Sequence, residues 1–160
     1  MADFIGNYYS VNSHLKETKS FDPKILENGV IVYEVVRVMN ETVLFLEDHF
    51  SRLQESILLS GFSYNLSLPV IHHILRSLIK KNLLRNGNLK ILLQFTEAQA
   101  PLLYTFEIPH TYPDSAMYFR GVESDLFKAE RRDPNVKKMN PELILRASTF
   151  IKTENLYDAL

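Results

Sequence analysis

The chain has no cysteine, which excludes disulfides, thiolate metal sites and thiol catalysis. It also lacks an excess of either charge. Eighteen Lys and Arg face nineteen Asp and Glu, and a formal net charge of −1 leaves no electrostatic footprint for wrapping nucleic acid or holding an anionic membrane. The longest apolar runs are a few residues, far short of the roughly 20 that a membrane-spanning helix needs. The N-terminus, Met1-Ala2-Asp3-Phe4-Ile5-Gly6-Asn7, has neither the basic start nor the continuous apolar stretch of a secretory signal. A cytoplasmic protein is therefore expected, with neither nucleic acid nor membrane as partner. No internal repeat, low-complexity tract, glycine-rich phosphate loop or nucleophile elbow is visible. His72 and His73 are neighbours on an expected helix, so they point about 100° apart and cannot share a metal. His14 and His110 have no ligand-spaced partners, and no metal site is expected.

What is present is ordinary globular material: 160 residues, 46% hydrophobic and 23% charged, enough for one domain with a sizeable core. Residues 30–38 are rich in valine, isoleucine and tyrosine and predict a strand, followed by a turn at Asn40-Glu41 and a returning strand over 42–46. Residues 47–60 predict a helix with acidic residues in its first turn, an apolar stripe of Phe50, Leu53, Ile57 and Leu58, and Gly61 as terminator. A second helix is expected from Ser67 to about Arg85, with Pro69 in its first turn and Asn86-Gly87-Asn88 as its stop. Strands are expected over 89–95, 102–108 and 116–122. Asn140-Pro141 reads as the cap and first residue of a last helix carrying Leu143, Ile144, Ala147 and Ile151. Helices segregated between runs of strands argue for an α+β fold with a mainly antiparallel sheet.

Two separated segments carry the chemistry. In Arg131-Arg132-Asp133-Pro134-Asn135-Val136-Lys137-Lys138-Met139-Asn140, a lysine stands at the threshold of a helix whose positive end disfavours an ammonium, as would Lys138, Arg131 and Arg132 nearby. A lysine that attacks a carbonyl needs such a place, although clusters of this kind are also commonly just solvated. In Leu46-Glu47-Asp48-His49-Phe50-Ser51-Arg52-Leu53, His49 and Arg52 are three residues apart on a helix and share a face. The guanidinium could fork onto a phosphate, and an ion pair with Glu55 or Glu47 at the surface would equally satisfy it.

Together with Tyr33-Glu34-Val35-Val36-Arg37-Val38, these segments resemble the class IV aminotransferases, the fold type IV pyridoxal phosphate enzymes. That family includes branched-chain and D-amino acid aminotransferases and aminodeoxychorismate lyase. The likeness runs from about Ile31 to the C-terminus. It implies the N-terminal domain of the D-amino acid aminotransferase-like fold, pyridoxal 5′-phosphate as cofactor, an amino acid or keto acid substrate, and a homodimer. It further implies that Lys137 is the catalytic residue and joins the cofactor as an aldimine, with Lys138 as rival, that Arg52 binds the cofactor phosphate, that Tyr33 lines the substrate site, and that His49 is structural.

The likeness also has gaps. The family's Gly-Asp-Gly type turn before the aromatic-Glu pair is replaced by Asn28-Gly29 and three further residues. The basic, glycine-containing turn after the strand over 89–95 is replaced by Thr96-Glu97-Ala98-Gln99-Ala100-Pro101. The 160 residues are expected to lack the family's second domain, which supplies the acid facing the pyridine nitrogen and further phosphate contacts. The expected organisation is therefore an α+β domain over 1–130 and, over 131–160, a linker entering a second domain, with the 160 residues alone inactive. The alternative expectation is a noncatalytic remnant or dimerisation module that keeps the fold.

Overall fold

The apolar run at residues 30–38 becomes a ten-residue strand because its β-branched residues suit a pleated surface buried on one face and half-buried on the other. The computed structural model describes residues 4–97, 99–130 and 133–160. In chain order the strands are β1 (Tyr8–Val11), β2 (His14–Glu17), β3 (Val30–Met39), β4 (Thr42–Val43), β5 (Gly87–Phe95), β6 (Leu102–Ile108), β7 (Ser124–Asp125) and β8 (Asp158–Ala159), and the helices are α1 (Leu46–Leu59), α2 (Leu68–Asn82), α3 (Ser115–Arg120) and α4 (Pro141–Thr153). The chain divides into two compact units, one of residues 1–110 with 135–139 and the other of residues 111–134 with 140–160.

The first unit is built on a six-stranded sheet of order β2-β1-β6-β5-β3-β4, antiparallel throughout, and the α+β expectation holds. Strand periodicity divides its side chains between two faces. On one, Val32, Val36 and Val38 of β3 with Leu89, Ile91, Leu93 and Phe95 of β5 meet Leu53 and Ile57 of α1 and Leu75 and Leu78 of α2. The other packs Ile31, Leu92, Tyr104 and Phe106 against Tyr9, Phe4 and Phe21. The alternating residues of β5 (Leu89, Ile91, Leu93, Phe95) and of β6 (Leu102, Tyr104, Phe106, Ile108) therefore fall on opposite faces of one sheet.

Several boundaries differ from expectation for local reasons. The return strand stops at Val43 instead of Leu46 because Phe45 turns left-handed (φ 51°) and its carbonyl accepts the first helical N–H, that of His49. Helix α2 ends at Asn82, not near Arg85, because Leu83 adopts φ 55° and its N–H closes back on Ile79 and Lys80; Gly87 then opens β5. In the second unit, the strand expected over 116–122 is instead the helix α3. The Asp114 side chain accepts the Met117 N–H and starts a helical turn, and none of its six residues is buried, so no alternating apolar face exists to favour a strand. Helix α4 opens as expected, with Asn140 Oδ1 accepting the Leu143 N–H and Pro141 in the first turn. Among the described residues, no helix is long and apolar enough to cross a membrane.

Candidate active site

Along β3 the face toward the helices reads Val32, Glu34, Val36, Val38, and all four are fully buried. A lone carboxylate in such a row must be satisfied by hydrogen bonds or it would cost several kcal/mol. Helix α1 supplies two of the donors, because His49 and Arg52 lie three residues apart and face the same side. Arg52 grips the carboxylate along one edge, with Nε 3.1 Å from Oε1 and Nη2 2.6 Å from Oε2. His49 Nδ1 lies 2.5 Å from Oε2, and since an ionised carboxylate only accepts, that nitrogen carries the proton. Lys137 Nζ completes the set at 3.0 Å from Oε1. Burial alone would push the Glu34 carboxyl up, but the hydrogen bonds from Arg52, His49 and Lys137 outweigh it and hold the group below the ordinary carboxylate range. The same hydrogen bond makes the Arg52 guanidinium still harder to deprotonate.

Lys137 reaches this place through its backbone. The segment around it lies antiparallel to β3, bridging Val32 to Lys138; the Tyr33 N–H donates to the Lys137 carbonyl (3.0 Å) and the Met139 N–H to that of Ile31 (2.9 Å). Buried Val136 anchors the segment, and the Lys137 N–H donates to the hydroxyl of Ser56 at 3.2 Å. The ammonium then lies 5.4 Å from the centre of the Tyr33 ring, and Lys90 on β5 holds its own ammonium 4.5 Å from that ring. Burial, and secondarily the charge of Lys137, lower the Lys90 pKa from the usual lysine value. Two cations thus share one aromatic ring, a contact worth about 0.5–2 kcal/mol depending on solvation.

The fold therefore gathers Tyr33, His49, Arg52 and Lys137, residues from three separate stretches of sequence. Arg52 is not paired with Glu47 or Glu55; its carboxylate is Glu34, eighteen residues away in the chain. Lys138 is exposed and makes no ion pair with Glu34, while Arg131 and Arg132 lie outside the described residues. Both His72 and His73 are exposed, and among the described residues no group of three or more metal-binding side chains gathers. Sequence reasoning missed Ser56 and Lys90 and did not see Glu34 as the hub. The signal for Glu34 was there: a carboxylate at an inward position of an otherwise apolar strand.

Residues 31–160 match the family model of amino-transferase class IV. The chain belongs to that family. No curated protein matches it. Among solved structures it is similar to the branched-chain amino acid aminotransferase of Escherichia coli, with a TM-score of 0.77 and 16% identity over 97% of this chain and 59% of that one. The branched-chain aminotransferase of Thermobaculum terrenum in its PLP form gives 0.73 and 16% over 97% and 58%. A Legionella pneumophila protein assigned as a 4-amino-4-deoxychorismate lyase gives 0.66 and 21% over 91% and 57%. At such identities the likeness is one of fold, and the chain spans less than two thirds of each of these structures.

Proposed function

We propose that the chain is the N-terminal part of a pyridoxal phosphate-dependent class IV aminotransferase-like enzyme, acting on an amino acid type substrate by transamination or related lyase chemistry, with residues 131–160 leading toward a second domain and a homodimer as the working assembly. The observation that carries this reading is the meeting of an amine, Lys137, and a guanidinium, Arg52, on the single buried carboxylate of Glu34. The solved relatives in a PLP form and with pyridoxamine 5′-phosphate support the choice of cofactor.

The donor set fits such a group. Arg52 spends Nε and Nη2 on Glu34, its Nη1 makes no hydrogen bond among the described residues, and the side chain is 51% exposed, so it can take a phosphate without releasing the carboxylate. Lys137 is 28% exposed, accessible to a small aldehyde yet held in one place. When bound, pyridoxal phosphate supplies an electron sink for the substrate's α-carbon. Attack by Lys137 Nζ on a carbonyl requires the neutral amine, so its ion pair with Glu34 must part first. Arg52 and His49 keep Glu34 satisfied when it does, which lets Lys137 leave without stranding a buried charge. The freed Nζ can then take up and return a proton beside the substrate. Tyr33 provides an aromatic wall, and Lys90 a poorly hydrated cation suited to an anionic group on the substrate.

The test is site-specific fixation. Borohydride reduction in the presence of pyridoxal 5′-phosphate, followed by peptide mapping, should label Lys137 alone, and Lys137 should prefer the phosphorylated aldehyde over pyridoxal in a way that Arg52→Gln removes. Labels spread over surface lysines, with no preference for the phosphate, would reject the reading. They would instead favour the noncatalytic alternative, in which the Glu34 network, closed on itself through Arg52, His49 and Lys137, serves to hold α1 and the 135–139 segment against β3.

A further inference from the structure

A second charged feature of the first unit lies on α2. His72, Arg76 and Lys80 follow one another at intervals of four residues, so they form a stripe along one side of the helix, with His73 beside it. After α2 ends at the left-handed Leu83, the chain turns back and brings Arg85 to the same groove, opposite Glu41 of the β3–β4 turn. The groove has a volume of about 780 Å³, a size usual for small-molecule sites. Its walls are tied together: the Glu41 N–H donates to the Arg85 carbonyl at 2.9 Å and the Asn40 N–H to Asn86 Oδ1 at 3.1 Å. The turn and the α2–β5 connection therefore form one surface.

The charges in it are unbalanced. Arg76, Lys80 and Arg85 are exposed, and among the described residues none of them makes an ion pair; Glu41, the one acid of the lining, is unpaired as well. Three permanent cations with two imidazoles stand against one carboxylate in a chain whose overall charge is −1. An excess of cations over acids along one groove makes its potential positive, and a multivalent anion meets that potential at several contacts. A single carboxylate would meet only one or two of these groups. An oligophosphate, with several oxygens spread along a chain, can take the Arg76 fork, Lys80 and Arg85 together.

We propose that this groove binds a small oligophosphate-bearing anion, at a site separate from the Glu34 network and independent of the function proposed for it. The shared chemistry is a di- or triphosphate, carried either as the inorganic anion or on a nucleoside, whose base could lie on the exposed side chain of Leu83.

Backbone amide NMR titrations of the 160-residue chain with tripolyphosphate and with a nucleoside triphosphate test this. Saturable shifts confined to α2, the β3–β4 turn and residues 83–86 are expected, weakening as salt is raised. Equal affinity for the two ligands would assign the site to the phosphates alone, and tighter nucleoside binding would add the base contact. The double substitution Arg76→Gln/Lys80→Gln should weaken binding roughly tenfold or more with circular dichroism unchanged, since it removes two of the three permanent cations that meet the anion. Arg52→Gln should leave it intact. The proposal is overturned by absence of saturable shifts at millimolar ligand, by undiminished affinity in the double variant, or by loss of binding in Arg52→Gln, which would move the anion to the Glu34 network.

Discussion

Replacing Glu34 by glutamine keeps the shape of the side chain and removes the one charge that three donors share. The carboxylate is fully buried, while the side chains of Arg52, Lys137 and His49 are 51%, 28% and 21% exposed. Breaking a fully buried pair from one side costs about 3–5 kcal/mol because the other charge is stranded. Here the stranded cations can partly rehydrate, so Glu34→Gln should cost about 2–4 kcal/mol at pH 7. Urea denaturation of wild type and variant measures it directly, and the loss corresponds to roughly 5–15 °C in Tm. The pH dependence gives an independent check. Because the folded-state carboxyl titrates below its unfolded value, its contribution is complete above the ordinary glutamate range, about 4.3, and is lost as pH falls through the depressed folded value. The variant has no such titration, so its deficit should be widest at neutral pH and close under acid. A deficit within about 0.5 kcal/mol at pH 7, or one that persists unchanged below pH 4, would refute the view that Glu34 is the ionised hub.

Ser56→Ala removes the acceptor of the partly buried Lys137 N–H and should cost about 1 kcal/mol, with faster hydrogen exchange at the Lys137 amide than in wild type. Two glycines with nearly the same positive φ should respond differently to alanine. At Gly29 (φ 80°) a Cβ would stand 2.1 Å from the Phe95 carbonyl oxygen, and at Gly61 (φ 84°) it would meet nothing within 4 Å. Thermal unfolding should therefore show about 1 kcal/mol lost for Gly61→Ala and about 3 kcal/mol or more for Gly29→Ala. Leu83→Gly should raise stability by about 0.5–1 kcal/mol in urea, because this left-handed C-cap residue is 85% exposed and loses little burial in exchange for relief of backbone strain.

The elements that sequence predicted well are those whose cause is local. Richness in valine, isoleucine and tyrosine defined β3, alternation of apolar residues defined β5 and β6, the acidic first turn and apolar stripe defined α1, and Asn140-Pro141 opened α4 at the expected residue. Helix α3 escaped because the Asp114 cap acts in a stretch that is never buried, so a residue pattern that resembles a strand had no sheet to join. The functional segments were legible through the resemblance of the 46–53 and 131–140 stretches to a known family, and the family match over residues 31–160 agrees with it.

By itself the sequence determined the identity of the strands and helices and the chemical types available to the site, because periodicity, caps and side-chain chemistry act over a few neighbouring residues. Tertiary structure alone decided that Glu34 is where Arg52, His49 and Lys137 meet, that Ser56 fixes Lys137 from 81 residues away, and that Lys90 shares the Tyr33 ring. It also brought Arg85 and Glu41 around the basic stripe of α2. Such pairings depend on strand register and helix placement, which are set by burial of the whole core rather than by any local run of residues.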